Sequence, residues 1–341
     1  MVYHRKLVAI VLLVMLCVTV VFSLSAGQYD LSFWHVAAWV CQQLGLPVFQ
    51  DVTTTAQQEA VLMFIRAPRT VVALLVGAGL ATSGAILQGL FSNPLADPGI
   101  IGVSSGATVG AVVAISLGLN TISMFALPVM AFAGAMMAVF MTIVLATRNG
   151  RIPVLTLLLS GVVVGMLLGA ITAAMLVVMD ESKLQQYLFW TIGSLDYRNW
   201  EHVLMGAGPI GLGLIIMIFM ARHLNVLALG EAEAKSVGMP VMKYRLILLM
   251  VSAMTTATSV CISGNIGFVG LIIPHMMRML VGPNHKYLLP ASILAGAVFL
   301  LFCDALGREV LEKTEVNVGI MTAFLGTPYF LYLLRKHSNI E

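Results

Sequence analysis

The chain has 341 residues, of which 60% are hydrophobic and only 10% charged, and its mean hydropathy is +0.99. A soluble globule carries roughly 25% charged residues, so the composition excludes one and points to a polytopic membrane protein. Net charge is +3, which is unremarkable, and no nucleic acid is expected as a partner. At about 20 residues per helical span, the length holds about ten spans and short loops in a single transmembrane domain, 1–341.

At the start, His4-Arg5-Lys6 precedes an apolar run from Leu7 to Phe22, and Ser23-Leu24-Ser25-Ala26 could pass for a cleavage site. The run is longer than the usual signal-peptide core and the rest of the chain is polytopic. It therefore reads as a first span with a cytoplasmic start. Apolar runs bounded by charge, glycine or proline predict spans at 7–26, 66–91, 101–119, 124–147, 154–178, 201–222, 244–263, 268–282, 288–307 and 317–334. Two polar stretches interrupt them. The first, 28–59, contains an amphipathic piece at 33–44. The second, 180–199, contains another, with Tyr187, Trp190, Tyr197 and Trp200 at positions suited to a membrane interface.

With the N-terminus inside, 12 of the 18 Lys and Arg fall on the inner side and 6 on the outer, while 11 of the 15 acids fall outside. The positive-inside rule thus supports an all-α fold with both termini cytoplasmic. The four cysteines, Cys17, Cys41, Cys261 and Cys303, lack metal-site or redox spacing and read as small apolar residues. The 22 methionines are scattered along apolar helices and suit flexible packing better than copper binding.

Both halves hold a glycine-rich break after an apolar helix, at 93–106 and 264–274. Proline and glycine end a helix, and in hydrocarbon each freed backbone group needs an internal partner. Paired breaks of this kind mark an inverted repeat and a transport path. No GxxxxGK[ST] or HExxH motif occurs. The spans carry almost no ionisable residue apart from Asp304. An ion-coupled carrier keeps acids or histidines at mid-membrane, and an intramembrane enzyme needs a catalytic pair there. Energy is therefore expected from outside this chain.

The stretch RAPRTVVALLVGAGLATSGAILQGLFSNPLADPGIIGVSSGA, 66–107, closely resembles the signature of the iron-complex (FecCD-type) permeases. These are the membrane subunits of ABC importers for siderophores, haem and cobalamin. Three further stretches resemble the family: LALGEAEAKSVGMPVMKY at 227–244, GFVGLIIPHMMRMLVGPNHKYLLP at 267–290, and DALGREVLEKTEVNVGIMTAFLGTPYFLYLL at 304–334. In the last, Asn317 stands where the family usually has proline. His275, in the third stretch, reads as a structural residue and not as an iron ligand.

The resemblance implies a homodimer or a pair with a paralogous permease, two cytoplasmic ABC ATPases, and a substrate-binding protein outside. The chain itself would hydrolyse nothing and hold no cofactor. Its substrate would be an iron chelate (siderophore or haem), with cobalamin as the alternative. The resemblance also implies roles for particular residues. Asn93 and Leu95 would narrow the inner end of the path. The loop carrying Leu229, Gly230, Glu231, Ala234, Lys235 and Gly238 would couple to the ATPase. Arg66, Arg69 and Arg308 would meet glutamates of the binding protein, where the planar guanidinium fork suits carboxylates better than lysine does.

Overall fold

Unbroken apolar runs have one way to satisfy their backbone in a membrane, which is to close each hydrogen bond within the segment. A computed structural model shows this chain doing so. It describes residues 2–338 except 30, 44, 47, 50, 51, 53, 149–151 and 312, and at 2, 3, 332–334 and 336–338 the backbone alone. No β-strand occurs among the described residues. Arg151, counted above on the inner side, and Leu44, at the end of the first amphipathic piece, lie outside them.

The helices are α1 (Val2–Ser25), α2 (Phe33–Gln43), α3 (Ala56–Val61), α4 (Ala67–Leu90), α5 (Val103–Ser116), α6 (Leu119–Ile122), α7 (Ala126–Ala146) and α8 (Val154–Val177). They continue with α9 (Glu181–Ile192), α10 (Trp200–Phe219), α11 (Ala221–Leu227), α12 (Glu231–Ser236), α13 (Val241–Ser263), α14 (Val269–Val281), α15 (His285–Glu309) and α16 (Val318–Ser338). A π-turn, Leu62–Arg66, joins α3 to α4 without a break. Among the described residues, seven helices are long and apolar enough to cross a membrane: α1, the joined α3–α4, α7, α8, α10, α13 and α15. The remaining apolar segments hold the shorter helices α5 and α14, and α16, which is apolar over Val318–Leu331. The end of the bundle at Ser25 is called outer here, following the charge distribution.

Helix α4 is the central post. Almost its whole length is buried, against α10, α13, α14 and α15. Lipid chains are as apolar as leucine, so helices in a membrane gain mainly by close packing, and small residues permit it. Gly77 of α4 meets Gly296 of α15 so closely that a Cβ on either would strike the other's carbonyl oxygen, and Gly106 and Gly134 seat α5 on α7 the same way. By contrast α1 and α8 present most of their apolar surface outward, including Leu7, Val14, Leu155 and Met166.

The two breaks come together beside α4. In the first, the Asp97 carboxylate accepts from Gly99 N–H (2.7 Å) and starts a single 3-10 turn, after which Gly102 at φ 87° launches α5. In the second, irregular backbone from Gly264 to Phe268 precedes α14. Gly270 packs against Asp97 and Pro98, and Gly84 of α4 against the Gly270 carbonyl. Side chain Gln88 bridges the same region, donating to Leu271 O (3.0 Å) and accepting from Arg278 (2.9 Å). The breaks are thus buried in protein, where non-helical backbone is tolerated. Asn317, in the place of the proline, begins α16, its carbonyl accepting from Ile320 and Met321 N–H.

Aromatic residues of the second polar stretch divide. Tyr187 and Trp190 are buried under α9, whereas Phe189 and Tyr197 are exposed, at 57% and 96%. Helix α9 is therefore held by packing on the bundle, and Lys183 also ties it to Ser116 O at the end of α5 (2.8 Å).

Candidate functional sites

At the outer end the three arginines expected to dock a binding protein are all buried, at 4%, 8% and 5% exposure for Arg66, Arg69 and Arg308. The last carbonyls of a helix have no partner within it. Arg66 supplies one to α1, donating to Leu24 O (2.8 Å), Ser25 O (2.7 Å) and Tyr29 O (2.6 Å). Arg308 does the same at Ala26 O (2.9 Å) and also donates to Ser23 Oγ (2.8 Å). Both cations also sit where the helix dipole favours positive charge.

Arg69 gathers three carboxylates. Its Nε and Nη2 fork onto Asp304 (2.9–3.1 Å), Nη2 also meets Asp196 (2.8 Å), and Nη1 meets Glu315 (2.7 Å). Asp304 in turn pairs with Arg308 at 3.2 Å. The one acid noted within the spans is therefore a structural counter-ion between two arginines. Asp196 and Glu315 are the partly exposed members of the group. Burial raises the Glu315 carboxyl above its usual range, against the pull of Arg69. Burial likewise draws Arg198 down to about 10, with Asp196 opposing. This cluster borders an outer cavity of about 1030 Å³, which Tyr197 and Phe64 also line.

At the inner end Asn93 and Leu95 lie in the first break. The Asn93 side chain accepts from Leu95 N–H (2.9 Å), a local turn that holds the leucine side chain outward, 43% exposed. His275 is half-buried on α14, and among the described residues no three metal-binding side chains converge.

The segment expected to couple to the ATPase is a compact turn of two short helices, α11 and α12. Glu231 holds Lys235 (2.6 Å, one turn on) and Arg245 (3.3 Å). The Lys235 bond, with help from Arg245, keeps the Glu231 carboxyl below its usual range. Gly238 at φ 77° ends α12, with Met239 N–H on Ala234 O and Gly238 N–H on Lys235 O. That paired closure favours glycine, because a Cβ is strained at positive φ. Gly230 at φ 125° opens the same turn. Ala234 is fully buried, while Leu229 and Val237 stand 72% and 70% exposed on either side.

The profile of the FecCD transport family matches residues 14–336. The chain belongs to this family. It is an ABC importer permease, a multi-pass protein of the cell's inner membrane, whose kind works with an ATPase and a binding protein and is not itself catalytic. The permease is 45% identical over 292 residues to the cobalamin import system permease of Halobacterium salinarum, covering 86% of this chain and 77% of that one. It is 38% identical to the hemin transport system permease of Yersinia pestis (85% and 89% covered) and 37% to the molybdate import system permease of Haemophilus influenzae (95% and 94%). A solved structure described as an inward-facing conformation of a metal-chelate type ABC transporter matches with a TM-score of 0.85 at 35% identity, over 97% of this chain and 99% of that one.

Sequence reasoning did not single out Asp196 and Glu315 as partners of Arg69, because nothing local joins residues so distant along the chain. It placed Leu229 in the loop expected to couple to the ATPase but passed over Val237, the other exposed apolar residue beside α12. The signal was present: two apolar residues bracket a short charged helix.

Proposed function

We propose that this permease carries a large metal chelate inward between two copies of itself or between itself and a paralogue. The identity of 35% across nearly the whole chain to a transporter described as metal-chelate type carries this reading. Ten spans with both termini cytoplasmic fit the seven long apolar helices together with α5, α14 and α16, and the excess of basic residues on the inner side. Iron chelates and cobalamin are the two candidate cargoes, and the 45% identity to a cobalamin permease favours cobalamin.

The outer rim is proposed as the docking face. A carboxylate of the binding protein entering the outer cavity competes with Asp196 and Glu315 for Arg69, while Arg66 and Arg308 fix the rim around it. Glu315 is the partner most readily displaced, since burial already disfavours its charge. At the inner end, Leu229 and Val237 offer apolar contacts to a groove of the ATPase, and Asn93 and Leu95 form one half of the gate. Uptake by proteoliposomes holding the permease, its ATPase and its binding protein tests the reading. Labelled cyanocobalamin, haemin, a ferric siderophore and molybdate are supplied in turn. ATP-dependent uptake of cyanocobalamin is expected. Uptake of haemin or the siderophore alone selects iron chelates, and uptake of molybdate alone overturns the chelate reading.

A further inference from the structure

At the inner end the start of α1, the end of α14 and the start of α15 meet, and two cations gather there on one aromatic ring. Arg5 donates from Nε to the carbonyl of Val281, the last residue of α14 (2.9 Å). Its guanidinium carbon stands 4.3 Å from the centre of the Tyr287 ring, in the first turns of α15. Gly282 gives it room, since a Cβ there would come within 3.3 Å of Arg5 Nη2. The ammonium of Lys286 lies 5.9 Å from the same ring centre. Lys6 is the next residue along α1 and is exposed, as is Lys286.

Cations elsewhere in the bundle that converge do so on an acid. Arg69 and Arg308 share Asp304, and Lys235 and Arg245 share Glu231. Arg5, Lys6 and Lys286 pair with no carboxylate among the described residues. Like charges held this close repel, and an anion between them removes that cost. The Arg5 guanidinium is already fixed by the Val281 carbonyl and the ring, while its Nη groups donate to nothing among the described residues. Little further ordering is needed for it to bind an anion. Exposed apolar side chains stand close by on two of the helices, Leu7 and Ile10 of α1 and Met279 and Leu280 of α14. They suit the acyl chains of a lipid and have nothing to offer a free anion.

We propose that Arg5, Lys286 and Tyr287 form a site for the phosphate headgroup of an anionic phospholipid of the inner leaflet, with Lys6 adding attraction at longer range. The leaflet follows from the cytoplasmic N-terminus proposed above. Basic pockets between helices on the cytoplasmic side suit such headgroups, and the tyrosine ring sits at the depth where aromatic residues favour the interface. An occupied site ties α1 to the end of α14, the helix whose start is the second break.

The full-length permease is purified in neutral detergent and titrated with phosphatidylglycerol, phosphatidylcholine and inorganic phosphate, and bound molecules are counted by native mass spectrometry. Phosphatidylglycerol is expected to bind about twentyfold more tightly than phosphatidylcholine, each cation contributing about fivefold. Equal binding of the two lipids overturns the site. Lys286→Gln removes an exposed charge and leaves the Asn284 cap on its backbone N–H in place, so the fold is kept and the preference should fall about fivefold. Arg5→Gln with Lys286→Gln should abolish it. Tyr287→Leu should weaken it and Tyr287→Phe should keep it, a difference that diffuse surface charge would not produce. Arg222→Gln with Lys243→Gln removes two other exposed inner-side cations and should keep the preference. Loss in this reference pair equal to that in the Arg5 and Lys286 pair overturns a local site. Inorganic phosphate binding as tightly as phosphatidylglycerol overturns the lipid as its occupant. A micelle has no inner side, so these results do not depend on topology. An N-terminal tag digested from outside intact spheroplasts would overturn the orientation, and the leaflet with it, while the binding result stood.

Discussion

The arginines at the outer end show how one residue type serves both fold and function. Asp304 is fully buried between Arg69 and Arg308. Removing one partner of a buried ion pair leaves the other charge uncompensated, which costs about 3–5 kcal/mol. Asp304→Asn is therefore expected to lower the melting temperature of the purified permease clearly, and wild-type melting would remove the counter-ion role. Arg66→Glu and Arg308→Glu would strip the end of α1 of its partners, so poor expression is expected of both, and they report little about docking. Glu315 is the better probe. It is partly exposed and holds Arg69 by one oxygen at 2.7 Å. Glu315→Gln releases part of Arg69 to an incoming carboxylate. Exposed pairs are worth up to about 1 kcal/mol, so the binding protein should dock about fivefold more tightly at low salt, with the gain shrinking as salt rises. Surface plasmon resonance on nanodiscs reads this directly, and an unchanged affinity would remove Arg69 from the interface.

Among the elements, the α11–α12 segment has the clearest division of labour. Ala234 packs inward, and Gly230 and Gly238 satisfy backbone demands, so substitutions there disturb the loop itself. Gly238→Ala is expected to cost about 1–2 kcal/mol of local stability. Leu229 and Val237 face outward and can change without touching that frame. Leu229→Glu with Val237→Glu should leave the permease folded and inserted while weakening ATPase co-purification or uncoupling hydrolysis from uptake. Normal stimulated ATPase activity and normal uptake in this variant would make the segment a plain connector. The helices themselves were legible in the sequence, since every apolar run between charges or glycines contains one. So were the breaks, because Pro94, Pro98 and Gly264 announce them locally. Tertiary partnerships were not. Arg69 and Asp304 stand 235 residues apart, and the reading of Tyr187 and Trp190 as interface anchors failed because amphipathicity alone does not say whether an apolar face meets lipid or protein.

On the scale of the whole molecule, the outer cluster and the α11–α12 segment lie at opposite ends of a bundle whose central post, α4, touches both. Arg69 opens α4 and the first break follows its end, beside α14, whose own start is the second break. The tight glycine contacts along α4 make that post stiff, so a tilt imposed at one end is carried to the other by packing and not by bending. A bias between two states arises only where a partner binds them unequally, and the two ends are where partners are proposed to bind. The gate follows from this arrangement. Leu95 projects from the first break with its backbone fixed by Asn93, so in a dimer two such leucines would face each other across the inner end of the path. Apolar constrictions close by excluding water and need no hydrogen bond or charge. Leu95→Ala shortens the seal from both sides at once and leaves the Asn93 turn intact, so the fold should be unaffected. Proteoliposomes carrying this variant should leak preloaded cyanocobalamin without ATP at a rate several times that of the unmodified permease. ATPase activity stimulated by the binding protein should persist while net accumulation falls. A tight membrane with normal accumulation in Leu95→Ala vesicles would move the gate elsewhere along the path.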